Sequence, residues 1–283
     1  MPFSFDTLQR QAARSLIERA LFEDGAERDL TSLLACPPEK EAKLCLRARE
    51  RIILAGGEII ALTYERLGAR VKVELLANDG ACLEKGAIIA CLEGPLRPIL
   101  TGERTLLNLL QRLCAVATLT ASFVNAAGKD GARIVDTRKT LPGFRRLDKY
   151  AVLCGGGQNH RLGLSDMIMF KDNHLELSGK SMKELVKEAR TKFPNIPIAI
   201  EAETKEAALA AASLQPDLLM LDNMPVPLMR EICALLKGKV VTEATGGVNL
   251  NNIFEVAHCG VDRVSIGAIT HSAPAVDLGL DAC

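Results

Sequence analysis

The sequence predicts an α/β protein whose larger part reads as a (β/α) barrel, complete only if strands are added from elsewhere, preceded by a smaller β-rich unit. From residue 129 onward, short apolar strands alternate with amphipathic helices. The strands are apolar on both faces, the pattern of a parallel sheet covered by helices. Chemically functional residues close one strand after another: Asp136 followed by Arg138 and Lys139, then Lys171, Glu201, Asp222, Glu243 and Gly267. An open doubly wound sheet concentrates its site at one switch point, whereas a barrel delivers every carboxyl end to one mouth. Six predicted strands (132–136, 167–171, 196–202, 217–222, 239–244 and 262–267) fall short of the eight of a closed barrel.

Taken in order, the chain begins with apolar positions Phe5, Leu8, Ala12, Leu16, Ala20 and Leu21 at helical spacing, ended by Gly25. The following ERDLTSLL reads as a loop entering a short strand or turn. Residues 42–94 then read as short strands, KLCLRARE, GEIIALTYERLG, RVKVELLA and AIIACLEG, with NDG and EKG as turns. Alternation across Arg70–Leu75 predicts one face in a core and the other in water. A helix is predicted from Glu103 to Phe123 with Thr101 as its cap, which puts Arg104 in the first turn. The helix dipole does not favour a cation there, so Arg104 is either a solvated charge or a reach towards an anion. In the barrel region the predicted helices are Met182–Phe193 capped by Ser181, Lys205–Leu214 capped by Thr204, Pro227–Leu236 and Asn251–Ala257.

Composition narrows the function. The formal net charge is zero, there is no Trp and there are only two Tyr, which argues against nucleic acid as the partner. No uninterrupted apolar stretch reaches membrane-spanning length and no secretory leader is visible, so a cytoplasmic protein is expected. Nine scattered cysteines without CxxC spacing read as reduced core thiols.

Against that neutral background, residues 129–171 carry nine Lys or Arg and four Asp or Glu. Arg138, Lys139, His160, Arg161 and Lys171 form a predicted cationic wall for carboxylates and phosphates. Glu201 and Asp222 are candidate ligands for a hard divalent cation, or ion-pair partners of the wall. Thr245, Gly246 and Gly247 after one late strand, and Gly267 after the next, are candidate phosphate stations. No GxGxxG or GxxxxGK[ST] follows a strand, and no Ser–His–Asp set can be picked out. A Schiff-base lysine remains open through Lys139 and Lys171, making an aldolase-like barrel one alternative; a non-catalytic anion-binding module is another.

The run DTRKTLPGFRRLDKYAVLCGGGQNHRLGLSDMIMFKDNH, with IEAET, LLMLDNM, EATGGVN and VSIGAITHSAPAVDL, resembles the quinolinate phosphoribosyltransferases, the carboxylating nicotinate-nucleotide pyrophosphorylases. The resemblance covers nearly the whole chain. It implies an incomplete α/β barrel of about seven strands over residues 113–271, and a mixed α/β N-terminal domain over 1–112 joined by the tail 272–283. It also implies Mg2+-dependent transfer of phosphoribosyl from phosphoribosyl pyrophosphate to quinolinate with loss of CO2, giving nicotinate mononucleotide for NAD biosynthesis. In that pattern Arg138, Lys139, His160 and Arg161 line the quinolinate pocket, and Lys171 stands near the ring and the sugar diphosphate. Glu201 and Asp222 serve the metal and ribose. Thr245, Gly246, Gly247 and Gly267 hold the 5′-phosphate, with His271 near them. Arg104 comes from a neighbouring subunit of a homo-oligomer, a dimer or hexamer. Thr245 stands where the family often has Ser, and Arg28 interrupts the family's usual early-loop pattern without an assigned role.

Overall fold

The structure is a computed structural model that describes residues 3–283. The chain divides into two compact units: residues up to Ala121 with Thr140–Gly156 and Ile269–Cys283, and Ser122–Lys139 with Gly157–Ala268.

In the first unit, helix α1 (Thr7–Glu23) starts at a capping box in which Asp6 accepts from Gln9 N and the Gln9 side chain accepts from Asp6 N. The next stretch is helical, not a loop entering a strand. A 3₁₀ turn (Ala26–Arg28) leads to α2 (Leu30–Ala35), because Asp29 accepts from Ser32 N and caps it. Strand β1 (Glu41–Ala48) and the short β2 (Ile52–Ile53) follow. The GEIIALTYER segment, predicted as a strand, is helix α3 (Glu58–Arg66). Its run Ile59, Ile60, Leu62, Thr63 and Tyr64 is buried, and three-to-four spacing outweighs its β-branched content. Strands β3 (Lys72–Leu75), β4 (Cys82–Leu83) and β5 (Ile88–Pro95) complete this part. The larger sheet has the order β12-β1-β5-β3, where β12 is Leu278–Ala282. As its edge, β3 keeps Lys72, Glu74 and Leu75 exposed, so the predicted buried face reduces to the half-buried Val71 and Val73.

Helix α4 runs from Leu96 to Ala127, seven residues earlier than predicted. Pro98 did not delay it, since a proline in the first turn lacks only an N–H that has no partner there. Thr101 is therefore interior: its hydroxyl donates to Arg97 O and Asp29 Oδ2. Arg104 lies beyond the first turn and is exposed. By length and composition α4 would span a membrane, but 56 % of its most apolar window is buried within the protein. Helix α5 (Arg145–Cys154), absent from the prediction, holds Arg145, Arg146 and Lys149. Lys149 is buried there, and Asp148 takes a bidentate ion pair from Arg112. None of these three cations lines the cavity described below.

The second unit is built on a parallel sheet of β6 (Arg133–Val135), β7 (Ile168–Phe170), β8 (Ile198–Ala202), β9 (Leu218–Asp222), β10 (Thr242–Thr245) and β11 (Arg263–Ser265). Its order is β6-β11-β10-β9-β8-β7. Six strands stand where about seven were expected, and the sheet does not close. A single parallel bridge from Val135 to Gln158 lies beside β6. Helices α6 (Asp172–Ser178), α7 (Met182–Lys192), α8 (Lys205–Ser213), α9 (Val226–Leu236) and α10 (Ile253–Ala257) lie between strands; α11 (Ala268–His271) follows the last. Ser181 and Thr204 cap α7 and α8 as predicted, accepting from Glu184 N and Ala207 N.

Candidate active site

The parallel register places the carboxyl ends of the strands together. Asp222 of β9 stands opposite Thr245 of β10, and Glu201 of β8 opposite Met220 of β9. At those ends lies a cavity of about 480 Å3, lined by residues that include Arg138, Lys139, His160, Arg161, Lys171, Glu201, Asp222, Thr245, Gly246 and Gly247. Ten predicted site residues converge here. A larger recess of about 720 Å3 opens near the amino ends of β9–β11, lined by residues such as Asp217, Thr242 and Asp262. That recess lies on the side a barrel enzyme does not use for chemistry, so the smaller cavity is the candidate.

Two arginines set its electrostatics. The Arg161 guanidinium donates to Met167 O at 2.7 Å and lies 3.4 Å from Met169 Sδ, neither of which neutralises it. Burial, and then the neighbouring Arg138, pull its pKa below the ordinary value. The Asp166 carboxylate offsets part of that pull. The Asp166 carboxylate is engaged by Leu162 N and Gly163 N, which closes the loop that aims Arg161.

His160, read as a member of the wall that is either a general acid or only a hydrogen-bond donor, has contacts that suit the donor. Its Nδ1 accepts from Arg161 N at 2.7 Å, which leaves the proton on Nε2 and the ring neutral. Nε2 stands 3.6 Å from Glu243 Oε2, and Asp136 fixes the backbone by accepting from His160 N at 2.9 Å. His160 is therefore a fixed, uncharged donor at the edge of the cavity.

Lys171 pairs with Glu201, Nζ to Oε2, at 2.5 Å. Asp222 is half-buried at the end of β9. The next residue, Asn223, has a left-handed backbone (φ 52°) and donates its N–H to Thr245 O. Gly246 (φ 85°) and Gly247 (φ 62°) are also left-handed, and a side chain at Gly246 would collide with the Asn223 amide. This turn brings successive backbone groups to the cavity rim, a shape suited to an anion.

Three expectations sit differently. Glu243 is not at a strand exit, because β10 continues to Thr245; it is fully buried and accepts from Arg263 Nε at 2.5 Å. Gly267 follows β11 without lining the cavity. His271 does not line the cavity either, whereas Arg104 was expected from a neighbouring subunit and not from this chain. Sequence reasoning missed Met169 and Met220, which line the cavity beside the buried Ala199 and Leu218. Neither carried an alternation signal: β7 is half-buried throughout and Met220 is itself buried on β9. It also missed Asn223, whose positive φ nothing in the residue order foretells.

Burial pushes the Glu243 carboxyl above the usual carboxylate range, which Arg263 only partly offsets. The folded chain then keeps that proton to higher pH than the unfolded chain, so stability falls as pH rises above the ordinary value of 4.5. Glu243→Gln is expected to flatten this fall, read as melting temperature against pH; an unchanged slope would rule it out.

The sequence profile described as quinolinate phosphoribosyl transferase, C-terminal domain, matches residues 116–281, and the N-terminal domain profile matches residues 29–114. The chain is 37 % identical over 268 residues to a probable nicotinate-nucleotide pyrophosphorylase [carboxylating] of Bacillus subtilis, covering 95 % of this chain and 92 % of that one. It is 38 % identical over 281 residues to a nicotinate-nucleotide pyrophosphorylase [carboxylating] of Mycobacterium leprae, covering 95 % and 97 %. Among solved structures, a nicotinate-nucleotide pyrophosphorylase from Francisella tularensis superposes with a TM-score of 0.93 at 34 % identity, covering 97 % of both chains.

Proposed function

The chain belongs to the quinolinate phosphoribosyltransferase family, and from that premise we infer that the cavity at the strand ends transfers phosphoribosyl from phosphoribosyl pyrophosphate to quinolinate with decarboxylation, the NAD-biosynthetic reaction. The observation that carries this reading is the convergence of Arg138 and Arg161 with the apolar Met169 and Met220 on one cavity. A flat ring bearing two adjacent carboxylates answers both features: the carboxylates take the guanidinium forks and the ring takes the methionine side chains.

Each side chain then has a task. Arg138 and Arg161 hold the acid, while neutral His160 and exposed Lys139 bound the ring pocket. This fixes the ring nitrogen towards the ribose carbon, so that orientation supplies a large part of the rate. Lys171 supplies positive charge towards the departing diphosphate, and Glu201 keeps its ammonium in place. Thr245, Gly246 and Gly247 hold the 5′-phosphate, with Gly267 and His271 assigned to the same end. Once the ring nitrogen is quaternised, it accepts the electron pair left when CO2 departs from the adjacent carbon. A proton then replaces the lost carboxylate.

Glu201 and Asp222 fit Mg2+. They are hard oxygen donors at neighbouring strand ends, and two carboxylates suit a cation that keeps its waters and shares substrate phosphate oxygens. When bound, Mg2+ neutralises diphosphate charge. A homo-oligomer completes the reading: exposed Arg104 reaches a neighbouring subunit's cavity, and the exposed Leu30, Leu33 and Leu34 of α2 supply apolar surface for such contact. Seven free cysteines accord with a cytoplasmic setting.

The test is pyrophosphate release from phosphoribosyl pyrophosphate with quinolinate, with and without Mg2+. Release is expected only when all three are present. Nicotinate, which lacks one carboxylate, should be turned over at least tenfold less efficiently, the loss of one charge-paired contact being about 1.5–3 kcal/mol. Equal turnover of nicotinate would remove the two-carboxylate reading. Borohydride trapping of a lysine adduct with a keto-sugar phosphate would support the aldolase-like alternative.

A further inference from the structure

Seven of the nine cysteines are free; the other two, Cys45 and Cys283, form a disulfide. This corrects the expectation that all the thiols are reduced. The bond ties β12 to β1 across 238 residues of sequence. A third sulfur belongs to the same cluster. Cys91 of β5 stands directly opposite Cys45 of β1 in the antiparallel register, with its Sγ 3.5 Å from that of Cys45. Cys283 N donates to Lys43 O, which puts it two positions along from Cys45 on the other side of β1. Residues two apart on a strand share a face, so the three sulfurs lie on one face of the β12-β1-β5 sheet, all within 4.8 Å of one another. Access is graded: Cys283 is exposed, Cys91 half-buried and Cys45 buried.

We propose that Cys45, Cys91 and Cys283 form a thiol–disulfide exchange site that reacts with small-molecule disulfides and dithiols. The exposed Cys283 thiolate attacks a small disulfide, forming a mixed disulfide and releasing one small thiolate. The Cys45 thiolate then attacks the Cys283 sulfur, forming the Cys45–Cys283 bond and releasing the second. Two protein thiols are oxidised and one small disulfide is reduced to two thiols. Cys91 supplies the third step without any external oxidant. Its thiolate attacks Cys45 Sγ, the Cys45–Cys91 bond forms, and the Cys45–Cys283 bond breaks to leave a Cys283 thiolate. Exchange of this kind needs an attacking sulfur in contact with the bond, and Cys91 is the free thiol that the register puts there. The two oxidised forms differ structurally: one staples the end of β12 to β1, whereas the other joins β1 to β5 and releases the Cys283 sulfur while β12 stays paired to β1.

This inference does not rest on the assigned reaction. Full-length protein, fully reduced and then equilibrated with oxidised and reduced glutathione, is quenched in acid, alkylated and mapped by peptide mass spectrometry. The expected result is a fall from nine alkylatable thiols to seven. Both Cys45–Cys283 and Cys45–Cys91 peptides should be recovered at intermediate ratios of the two glutathione forms. Cys283→Ser should move the linkage to Cys45–Cys91; Cys91→Ser should retain Cys45–Cys283 and lose the isomer. Cys82→Ser, an exposed cysteine outside the cluster, should leave the pattern unchanged. The proposal is overturned if no Cys45–Cys91 peptide forms in either the wild type or Cys283→Ser, or if Cys45 carries glutathione in that variant.

Discussion

Arg138→Ala is expected to weaken quinolinate binding by about 2–5 kcal/mol, roughly thirtyfold to several thousandfold in Kd, because it removes one partner of a charge-paired contact and leaves a carboxylate facing apolar surface. The effect exceeds that of a surface arginine because Arg138 is half-buried and close enough to Arg161 to influence its titration. Binding of phosphoribosyl pyrophosphate should change much less, since its phosphates are assigned to Lys171 and the Thr245–Gly247 turn. Calorimetric titration of each substrate separates the two effects. An unchanged quinolinate affinity, or an equal loss for both substrates, would remove Arg138 from the acid pocket.

Mixing inactive Arg104→Ala subunits with inactive Arg138→Ala subunits is expected to restore about a quarter of wild-type activity, if exchange is statistical and each site draws Arg104 from its neighbour. Half of the dimers are then mixed. Within each mixed dimer one cavity keeps both arginines and the other loses both. Arg104 is exposed, as a side chain offered to a neighbouring subunit would be. Mixed dimers verified by mass that show no recovery would rule out sharing.

The cavity was largely readable in advance because its residues follow strands, and a parallel sheet lines up strand ends whatever the loops do. Arg138, Lys171, Glu201 and Asp222 were found that way. The same reasoning misplaced Glu243, since it took a carboxylate near a strand end to be at the end; β10 runs two residues further and buries it. For His160 it left open a general acid or a hydrogen-bond donor, and only the backbone N–H on its Nδ1 favours the donor. It counted Arg145, Arg146 and Lys149 by proximity in sequence, but α5 carries them into the other unit. Residue order did not reveal the Cys45–Cys283 pairing either, as it depends on β12 returning to β1 after more than two hundred residues.

The sequence by itself determined the strand–helix alternation, the helix caps at Ser181 and Thr204, and the set of chemical groups available at the strand ends. These are local matters, decided by periodicity and by side chains bonding to their own backbone. Only the tertiary structure decided that the sheet stops at six strands and a bridge, which imidazole nitrogen carries the proton, and which cations share a cavity. Those outcomes depend on contacts between segments far apart in the chain, where burial and register, rather than residue type, set the energy of each arrangement.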